Sequence, residues 1–404
     1  MTRTILVTGA TGNVGRHVVT GLLAAGVTVR ALVRNPALAG LPVGVELVAG
    51  DLTDPASVAA ASTGTDGTFL LWPFYPPDGA EKVVEQLTGH VVYLSASAVR
   101  DDQSAEQNGV WGTIEQLVRK AGLDWTFLRA GGFAANTLEW SEQTLRGDEV
   151  HLPYTEAGRS LIHERDIAEV AVRALLDRRV GETLTLTGPE TLTQREQIRI
   201  IGEVIDRPLR VVEVSPEVAR AHLVAQLGEE FAAEAMPYWA SLVENPEGVE
   251  TTVENVLGRP ALTYREWVED HADAFRPLTT TEVAERYVEA FRGGAMESAM
   301  TLLSPEMERI APIEFGGDPT PLKGLNAIFE NSVRLLDGHV IEKVDVQGPF
   351  LAGNQFAVRF IFGAGDLDLS DPGTTSKMSL YTVTNSRIVR EEVFYFTLPD
   401  HPAP

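Results

Sequence analysis

Short apolar runs alternate with stretches of helical periodicity over the first half of the chain. The helical segment Val14–Ala25 repeats its apolar residues at helical spacing and stops at Gly26. Strands that alternate with helices predict βαβ units and an α/β fold with a mostly parallel, doubly wound Rossmann sheet. The predicted strands are Thr4–Thr8, Val27–Val33, Val45–Ala49, Thr68–Trp72, Val91–Ala96, Trp125–Arg129 and Thr183–Leu186.

The pattern changes at Arg276–Thr281, where we place a linker between two domains, residues 1–277 and 280–404. A helix is predicted over Glu282–Arg292, followed by two more over Met296–Leu303 and Leu325–Leu336. A run of strands then follows, with hairpin turns expected at Gly353-Asn354 and Asn385-Ser386. The sequence therefore predicts three helices and then an antiparallel sheet in the second domain.

The first predicted strand runs directly into a glycine-rich turn, Ile5–Gly15, that opens a helix. Gly9 permits the tight turn, Gly12 lets the backbone approach a pyrophosphate, and Gly15 allows close packing of the helix. The free N–H groups of the helix N-terminus then face the phosphates. An ordinary strand-to-helix turn is the alternative, but the flanking strand and helix favour a dinucleotide site. The predicted phosphate-binding residues are Gly9, Thr11, Gly12, Asn13, Val14 and Gly15.

Composition narrows the function classes further. The 404 residues carry a formal net charge of −24 and no cysteine. Disulfides and thiolate sites are excluded, and the lack of a basic stripe argues against nucleic-acid binding. No apolar run is long enough to span a membrane, and Met1 leads straight into the first strand, so we expect a cytoplasmic protein without a membrane partner.

Several phrases in order resemble the NmrA-like branch of the short-chain dehydrogenase/reductase superfamily. They are TGATGNVG at 8–15, ALVRNP at 31–36, AGDLTDP at 49–55, AGLDWTFLRAGGFAAN at 121–136 and IHERDIAEVA at 162–171. The resemblance implies a Rossmann domain with a substrate lobe over about residues 1–277. It also implies a nicotinamide cofactor and a small-molecule substrate.

The cofactor is expected to be NADPH. Arg34 ends the second strand, where an acid would bind the ribose hydroxyl of NAD and an arginine complements a 2′-phosphate. No acid occurs between Arg30 and Gly40, although a surface arginine is the alternative. By resemblance, Asp51 and Leu52 lie near the adenine and Pro73 and Phe74 near the nicotinamide. Asp51 could instead cap the following helix.

The usual proton donor of the superfamily is missing. None of the eight tyrosines has a lysine four residues later, and Trp111 stands where some relatives keep a lysine before the equivalent of Glu115. The reduced product still needs a proton or a hydrogen-bond donor. Ser95, Ser97, Asn136 or water are the candidates, with a helix cap as the alternative for Asn136. His163 resembles a substrate-lobe contact, but a structural role is favoured.

Residues 280–404 resemble the SnoaL-like branch of the nuclear transport factor 2-like cone fold, mainly through SLYTVTNSRIVREEVFYF at 379–396. Glu391 and Glu392 lie on one predicted strand, so one of them faces the interior. An interior carboxylate among Phe360, Phe362, Phe394 and Phe396 would have a raised pKa and could act as acid or base. A solvated glutamate in a dimerisation domain, giving a homodimer, is the alternative. Further polar candidates, more typical of a surface, are His339, Asp345 and Arg359.

Together these observations predict an NADP(H)-dependent reductase of a small apolar carbonyl, enone or quinone. The SnoaL-like resemblance suggests natural-product tailoring of the polyketide type, with the second domain shaping the substrate or catalysing a second step. Two alternatives stay open. One is an NADP-binding sensor without turnover, and the other is a cyclase, isomerase or dehydratase whose chemistry lies in the second domain.

Overall fold

The computed structural model describes residues 3–74, 77–311, 321–336, 343–363 and 375–397. The chain folds as two units, Met1–Arg276 and Pro277–Pro404. The candidates His339 and the side chain of Phe396 lie outside the described part of the chain. Among the helices within these ranges, none has the length and apolar character that crossing a bilayer requires.

The first unit is built on a seven-stranded sheet in which every neighbouring pair is parallel, with the order β3-β2-β1-β4-β5-β6-β9. Two short ribbons pair β8 with β10 and β7 with β11. The strands are β1 (Thr4–Val7), β2 (Thr28–Val33), β3 (Glu46–Ala49), β4 (Gly67–Leu70), β5 (His90–Ala96), β6 (Asp124–Ala130), β7 (Glu149–Leu152), β8 (Gly158–Arg159), β9 (Glu182–Leu186), β10 (Leu192–Thr193) and β11 (Arg210–Glu213).

Helices cover both faces of this sheet, which is why its strands are apolar on both sides. The helices are α1 (Gly15–Ala24), α2 (Pro55–Ser62), α3 (Ala80–Val84), α4 (Gly109–Lys120), α5 (Ser141–Arg146), α6 (Glu164–Asp177), α7 (Gln194–Val204), α8 (Pro216–Leu227), α9 (Glu229–Glu244), α10 (Thr252–Leu257) and α11 (Tyr264–Phe275). One core lies between the sheet and α1, α6 and α10, and a second lies between the sheet and α2, α3 and α4.

From β1 the chain adds strands first on one side of the sheet (β2, β3) and then on the other (β4, β5, β6), so the topological switch point lies between β1 and β4. Ligands of doubly wound sheets bind outside the carboxyl ends of the strands at that point. The Rossmann prediction is therefore confirmed. A separate core, formed by the 3₁₀ turn Ala134–Trp140 with α7 and α11, builds a lobe from the segments that follow β6.

The second unit contains α12 (Thr280–Arg292), α13 (Met296–Met300) and α14 (Leu325–Leu336) against one six-stranded sheet of order β13-β12-β17-β16-β15-β14. Its strands are β12 (Leu303–Ile310), β13 (Leu322–Lys323), β14 (Lys343–Ala352), β15 (Gln355–Gly363), β16 (Thr375–Thr384) and β17 (Arg387–Thr397). Two-residue turns at Gly353-Asn354 and Asn385-Ser386 join the hairpins, and Asn385 and Ser386 both have positive φ.

One part of the sequence prediction for this unit is wrong. The helices do not all precede the sheet, because β12 lies between α13 and α14 and pairs parallel with β17. The sheet is therefore mixed rather than antiparallel. Residues 301–303 were assigned to a helix, whereas α13 ends at Met300 and the chain turns into β12 at Leu303.

Candidate functional site

The turn between β1 and α1 has the geometry that a pyrophosphate requires. Gly9 has a φ of +62°, and its carbonyl accepts a hydrogen bond of 2.9 Å from the Gly12 N–H. A Cβ on Gly15 would lie 2.0 Å from the Gly9 oxygen, so only glycine fits there. No side chain caps α1, and its first turn carries no acid. The N–H groups of Arg16, His17 and Val18 donate to the Gly12 and Val14 carbonyls, so in the described structure the N–H groups from Asn13 to Gly15 are the ones that remain for an anion.

The residues predicted for the phosphate loop differ in exposure. Thr11, Gly12 and Asn13 are exposed, whereas Val14 and Gly15 are buried. The exposed backbone from Thr11 to Asn13 thus forms the face that a ligand reaches, and Val14 anchors the turn in the core between α1 and the sheet. These residues fit a dinucleotide pyrophosphate.

The carboxyl ends of β2 and β3 lie side by side and carry the residues predicted for the adenosine end. Arg34 follows β2, is exposed, and makes no ion pair with an acid of the described structure. Asp51 follows β3 and accepts hydrogen bonds from the Thr53 N–H at 2.8 Å and the Thr53 hydroxyl at 2.7 Å. These bonds, helped by the charge of Arg34, lower the pKa of Asp51. The capping alternative for Asp51 is wrong, because Asp54 caps α2.

The carboxyl ends of β4 and β5 carry the residues predicted for the nicotinamide side. Pro73 and Phe74 are exposed, and the Phe74 ring stands edge-on to Trp72 at 5.2 Å between centroids. Ser97 is exposed just beyond β5, and its backbone N–H donates to the Ala130 carbonyl at 2.9 Å. A hydroxyl and an apolar surface are therefore both presented at this edge.

Ser95 has a different position from Ser97. It is 4% exposed, and its hydroxyl donates to Glu115 on α4 at 2.7 Å. Glu115 also accepts two hydrogen bonds from Arg129 of β6, at 3.0 and 2.9 Å. Hydrogen bonds to Glu115, outweighing burial, raise the pKa of Arg129. The Ser95 hydroxyl thus belongs to an internal polar network, and Ser97 is the better placed of the two serines. Trp111, also on α4, is 37% exposed.

The lobe holds a small, partly open pocket with a cavity volume of about 70 Å³. Its apolar wall includes Trp140, Leu161 and Trp239, and its polar lining includes Asn136, Glu139 and Arg159. Asn136 is exposed and lies inside the 3₁₀ turn that Phe133 begins. The helix-cap alternative for Asn136 is therefore wrong. Sequence reasoning missed the pocket because α7, α9 and the Ala134–Trp140 turn are brought together only by the fold.

The pocket adjoins the carboxyl edge of the sheet through Gly132, the second residue after β6. A Cβ on Gly132 would lie 2.2 Å from the Arg159 guanidinium and 2.9 Å from the Leu161 side chain. Two pocket-lining side chains therefore pack directly on the loop that leaves β6. A small molecule in the pocket would lie beside the strand ends where the cofactor is expected.

The side chain of His163 is buried, and both of its ring nitrogens already have partners within the protein. It is 1% exposed and begins α6, where its Nδ1 accepts a hydrogen bond from the Arg165 N–H at 3.2 Å. Its Nε2 lies 3.2 Å from Asp270, and its neighbour Glu164 accepts from the Trp267 indole at 2.9 Å. His271 belongs to the same cluster, because its hydrogen bond to Glu164 raises its pKa. The structural alternative for His163 is the one that the contacts favour.

Glu391 in the second unit faces the interior and Glu392 faces the opposite side, as the alternation of a strand predicts. Glu391 is 1% exposed, whereas Glu392 is half-buried and bonds to Arg390. The register places Arg309 of β12 and Tyr381 of β16 on either side of Glu391.

The surroundings of Glu391 are cationic rather than purely aromatic. Arg309 donates to it at 2.7 Å, Ser379 at 2.7 Å and Tyr381 at 3.2 Å, and the Lys377 ammonium lies 3.6 Å away. Burial opposes ionisation, but the charges of Lys377 and Arg309 with these hydrogen bonds lower the pKa of Glu391 to about 2. The predicted upward shift is therefore wrong.

The predicted aromatic neighbours surround the lysine instead. Lys377 lies over the Phe360 ring at 5.2 Å and the Phe362 ring at 6.0 Å, and burial lowers its pKa. Phe394 is 50% exposed on the outer side of β17. Of the other polar candidates, Asp345 is exposed and Arg359 donates to Ser376 at 3.1 Å.

The family follows from a comparison with protein-family models. The model described as the NmrA-like family matches residues 1–258 of the chain. The chain belongs to the NmrA-like family. Because the match ends before the second unit, the SnoaL-like resemblance of that unit stays a prediction.

Two relatives of this NmrA-like chain carry the names of reductases. It is 36% identical over 288 residues to a (4-alkanoyl-5-oxo-2,5-dihydrofuran-3-yl)methyl phosphate reductase of Streptomyces griseus, covering 68% of this chain and 99% of the relative. It is 34% identical over 284 residues to an NAD(P)H azoreductase of Xenophilus azovorans, and the alignment covers 67% of this chain and 99% of the azoreductase. The fold matches an NADPH-dependent quinone oxidoreductase of Escherichia coli complexed with NADPH, with a TM-score of 0.56, 20% identity, and coverage of 66% and 99%.

Proposed function

We propose that this NAD(P)H-dependent oxidoreductase uses NADPH to reduce a small, apolar conjugated acceptor such as an enone, a quinone or another activated carbonyl. The observation that carries the proposal is the pocket packed on Gly132 beside the predicted dinucleotide site. Aromatic walls from Trp140 and Trp239 suit a planar conjugated molecule. The names of the relatives, which include an oxo-dihydrofuran, an azo and a quinone reductase, support this substrate class.

NADPH, when bound, supplies the hydride for this chemistry. The residues of the chain bind and orient the reactants. The N-terminal turn of α1 would hold the pyrophosphate, and Arg34 would pair with the 2′-phosphate. Pro73 and Phe74 would line the nicotinamide side, and Ser97 and Asn136 would offer hydrogen bonds to the acceptor oxygen. Such donors stabilise the negative charge that develops on that oxygen.

The proposal is tested by following NADPH oxidation with a panel of quinones and enones, together with mass spectrometry of the products. We expect turnover with at least one conjugated acceptor and a product heavier than the acceptor by two hydrogens. Tight NADPH binding without oxidation by any acceptor would contradict the reductase proposal and favour the sensor.

Arg34 gives a test of cofactor choice. Replacing Arg34 by aspartate should cost about 1.5–3 kcal/mol of NADPH binding, because a charge-assisted phosphate contact is lost. This corresponds to a factor of roughly 10 to 150 in Kd. NADH binding should change little, so the preference for NADPH narrows or reverses. Isothermal calorimetry with both cofactors measures the effect.

Arg173→Asp is the matched control for this charge reversal. Arg173 is exposed on α6 and pairs only with Asp177 of the same helix in the described structure. We expect its NADPH affinity to stay near that of the wild type. Equal affinities of the wild-type protein for NADPH and NADH would contradict the role given to Arg34.

We also propose that the second unit is a SnoaL-like domain that acts on the reduced product, in a pathway of natural-product tailoring. The interior cluster of Glu391, Arg309 and Lys377 supports this, because Lys377 and Arg309 keep 20% and 16% of their side chains exposed. Solvent therefore reaches the two cations. Since Glu391 is ionised, it serves as a base or an electrostatic anchor and not as an acid.

Glu391→Gln tests this second step, with Glu392→Gln as the control on the opposite face. If the cluster is catalytic, the Glu391 variant, assayed where circular dichroism shows its second unit to be folded, consumes NADPH at the wild-type rate while a reduced intermediate accumulates. The control should give the wild-type products. An unchanged product profile in both variants would remove the carboxylates from the mechanism and leave the unit a role in substrate shaping or dimerisation.

A further inference from the structure

The pocket also contains a carboxyl group, that of Glu139. Glu139 lies on the 3₁₀ turn Ala134–Trp140, three residues after Asn136. A 3₁₀ helix has three residues per turn, so these two side chains project from the same side. Both line the pocket, and Glu139 is the one carboxylic acid among its described lining residues.

Glu139 is accessible to solvent and also forms part of the lining of the pocket. The same pocket is lined by Trp140, Leu161 and Trp239. Burial raises the pKa of Glu139, and the opposing effects of Trp140, Arg159 and His222 are smaller. A carboxyl group in such a place keeps its proton to a higher pH than a solvated one.

Arg159, the cationic side chain among the described lining residues of the pocket, is already engaged. Arg159 donates from two nitrogens to Glu247, each at 3.2 Å, and Tyr238 also donates to Glu247 at 2.5 Å. Since Arg159 is held by Glu247 and packed on Gly132, it does not form an ion pair with Glu139 in the described structure. The carboxyl group of Glu139 is thus left to face the pocket.

We propose that Glu139 is the general acid of the reduction. The inference rests on the proposed reductase function. Hydride from NADPH forms a new C–H bond at the electrophilic carbon, and the displaced π electrons leave an enolate or alkoxide. Glu139 gives its proton to that anion and becomes a carboxylate, which solvent reprotonates after NADP⁺ has formed. A carboxylic acid thereby replaces the tyrosine that the chain lacks at the usual position.

The test compares Glu139→Gln with Glu142→Gln. Glutamine has nearly the same shape but no acidic proton, and Glu142 is an exposed acid of α5 that pairs with Arg146 outside the pocket lining. We expect the Glu139 variant to lose about 100-fold in kcat, the usual contribution of general acid catalysis. The NADPH Kd and the thermal midpoint should match the wild type, and Glu139→Asp should restore part of the rate.

Two further readouts separate proton donation from a merely structural effect. The wild-type rate should fall as the pH rises through the pKa of Glu139, because the acid must be protonated, and this limb should vanish in Glu139→Gln. NMR titration of ¹³C-labelled glutamate carboxyls, on protein without cofactor, should show one resonance with a raised pKa that is missing from the variant.

A Glu139→Gln variant with the wild-type rate and pH profile, or a Glu139 carboxyl that titrates at the ordinary value, would overturn the inference. The proposed function would survive either result, because the wild type would still reduce its acceptor. Failure of the wild type to oxidise NADPH with any acceptor would instead remove both proposals together.

Discussion

Replacing Gly15 by alanine is expected to weaken NADPH binding by about 100-fold or more. The added Cβ would lie 2.0 Å from the Gly9 oxygen, 2.7 Å from the Gly9 carbonyl carbon and 2.9 Å from the Ala10 Cα. All three are backbone atoms, so the turn itself must move. Overpacking of this kind costs up to about 3 kcal/mol, and the free N–H groups would leave the phosphate position. Calorimetric titration with NADPH measures the loss.

Gly147→Ala is the matched control for this substitution. Gly147 has an extended backbone with φ near −174°, and a Cβ there would meet nothing within 4 Å. The same added methyl group should therefore leave the NADPH Kd unchanged. An unchanged Kd for Gly15→Ala, with the protein folded, would mean that the turn between β1 and α1 does not bind the cofactor phosphates.

Glu391→Gln is expected to destabilise the second unit by about 3–5 kcal/mol, because removing one member of a buried ion pair leaves the other charges uncompensated. The charges left behind are Arg309 and Lys377. Glu392→Gln should change the stability by less than about 0.5 kcal/mol, since Glu392 makes only a half-buried contact with Arg390.

The tryptophans of the chain allow this effect to be assigned to one unit. All six lie in residues 1–276, so tryptophan fluorescence follows the unfolding of the first unit alone. Circular dichroism follows both units. In urea, the Glu391 variant should show an earlier dichroism transition while its fluorescence transition stays in place. A variant as stable as the wild type in both signals would contradict the ion-pair account.

The same group predicts a response to acid. The ordinary pKa of a glutamate is 4.5, and the folded value for Glu391 is about 2. A lowered folded pKa stabilises the fold above the unfolded value, and this contribution is lost as the pH falls from about 4.5 towards 2. The difference in stability between wild type and Glu391→Gln should therefore shrink over that interval.

The cofactor end of the site could be predicted from the sequence because it depends on local chain geometry. Gly9, Gly12 and Gly15 act within one turn, and Arg34 follows directly from the end of a strand. That Glu391 and Glu392 face opposite sides could likewise be predicted, because successive side chains of a strand alternate between its two faces. Such features require no knowledge of distant residues.

The errors come from contacts between residues far apart in the sequence. Arg309 meets Glu391 across 82 positions, and without the strand register its charge could not be placed beside the carboxylate. The predicted direction of the pKa shift of Glu391 is therefore wrong. The pocket residue Glu139 escaped notice for the same reason, since its neighbours come from α7 and α9. Ser95 did leave a signal, because it shares a strand face with Val91 and Tyr93, which are buried against α4.

The central claim is that the chain passes hydride from NADPH to a conjugated acceptor. It is tested most directly with NADPH deuterated at the transferable position of C4, using the wild-type protein and the enone with the highest turnover, because a hydroquinone would carry the transferred hydrogen on an exchangeable hydroxyl. The account predicts that one of the two C4-labelled forms of NADPH, and not the other, transfers its deuterium to one carbon of the product. NADPH consumption without any deuterium in the product would contradict it.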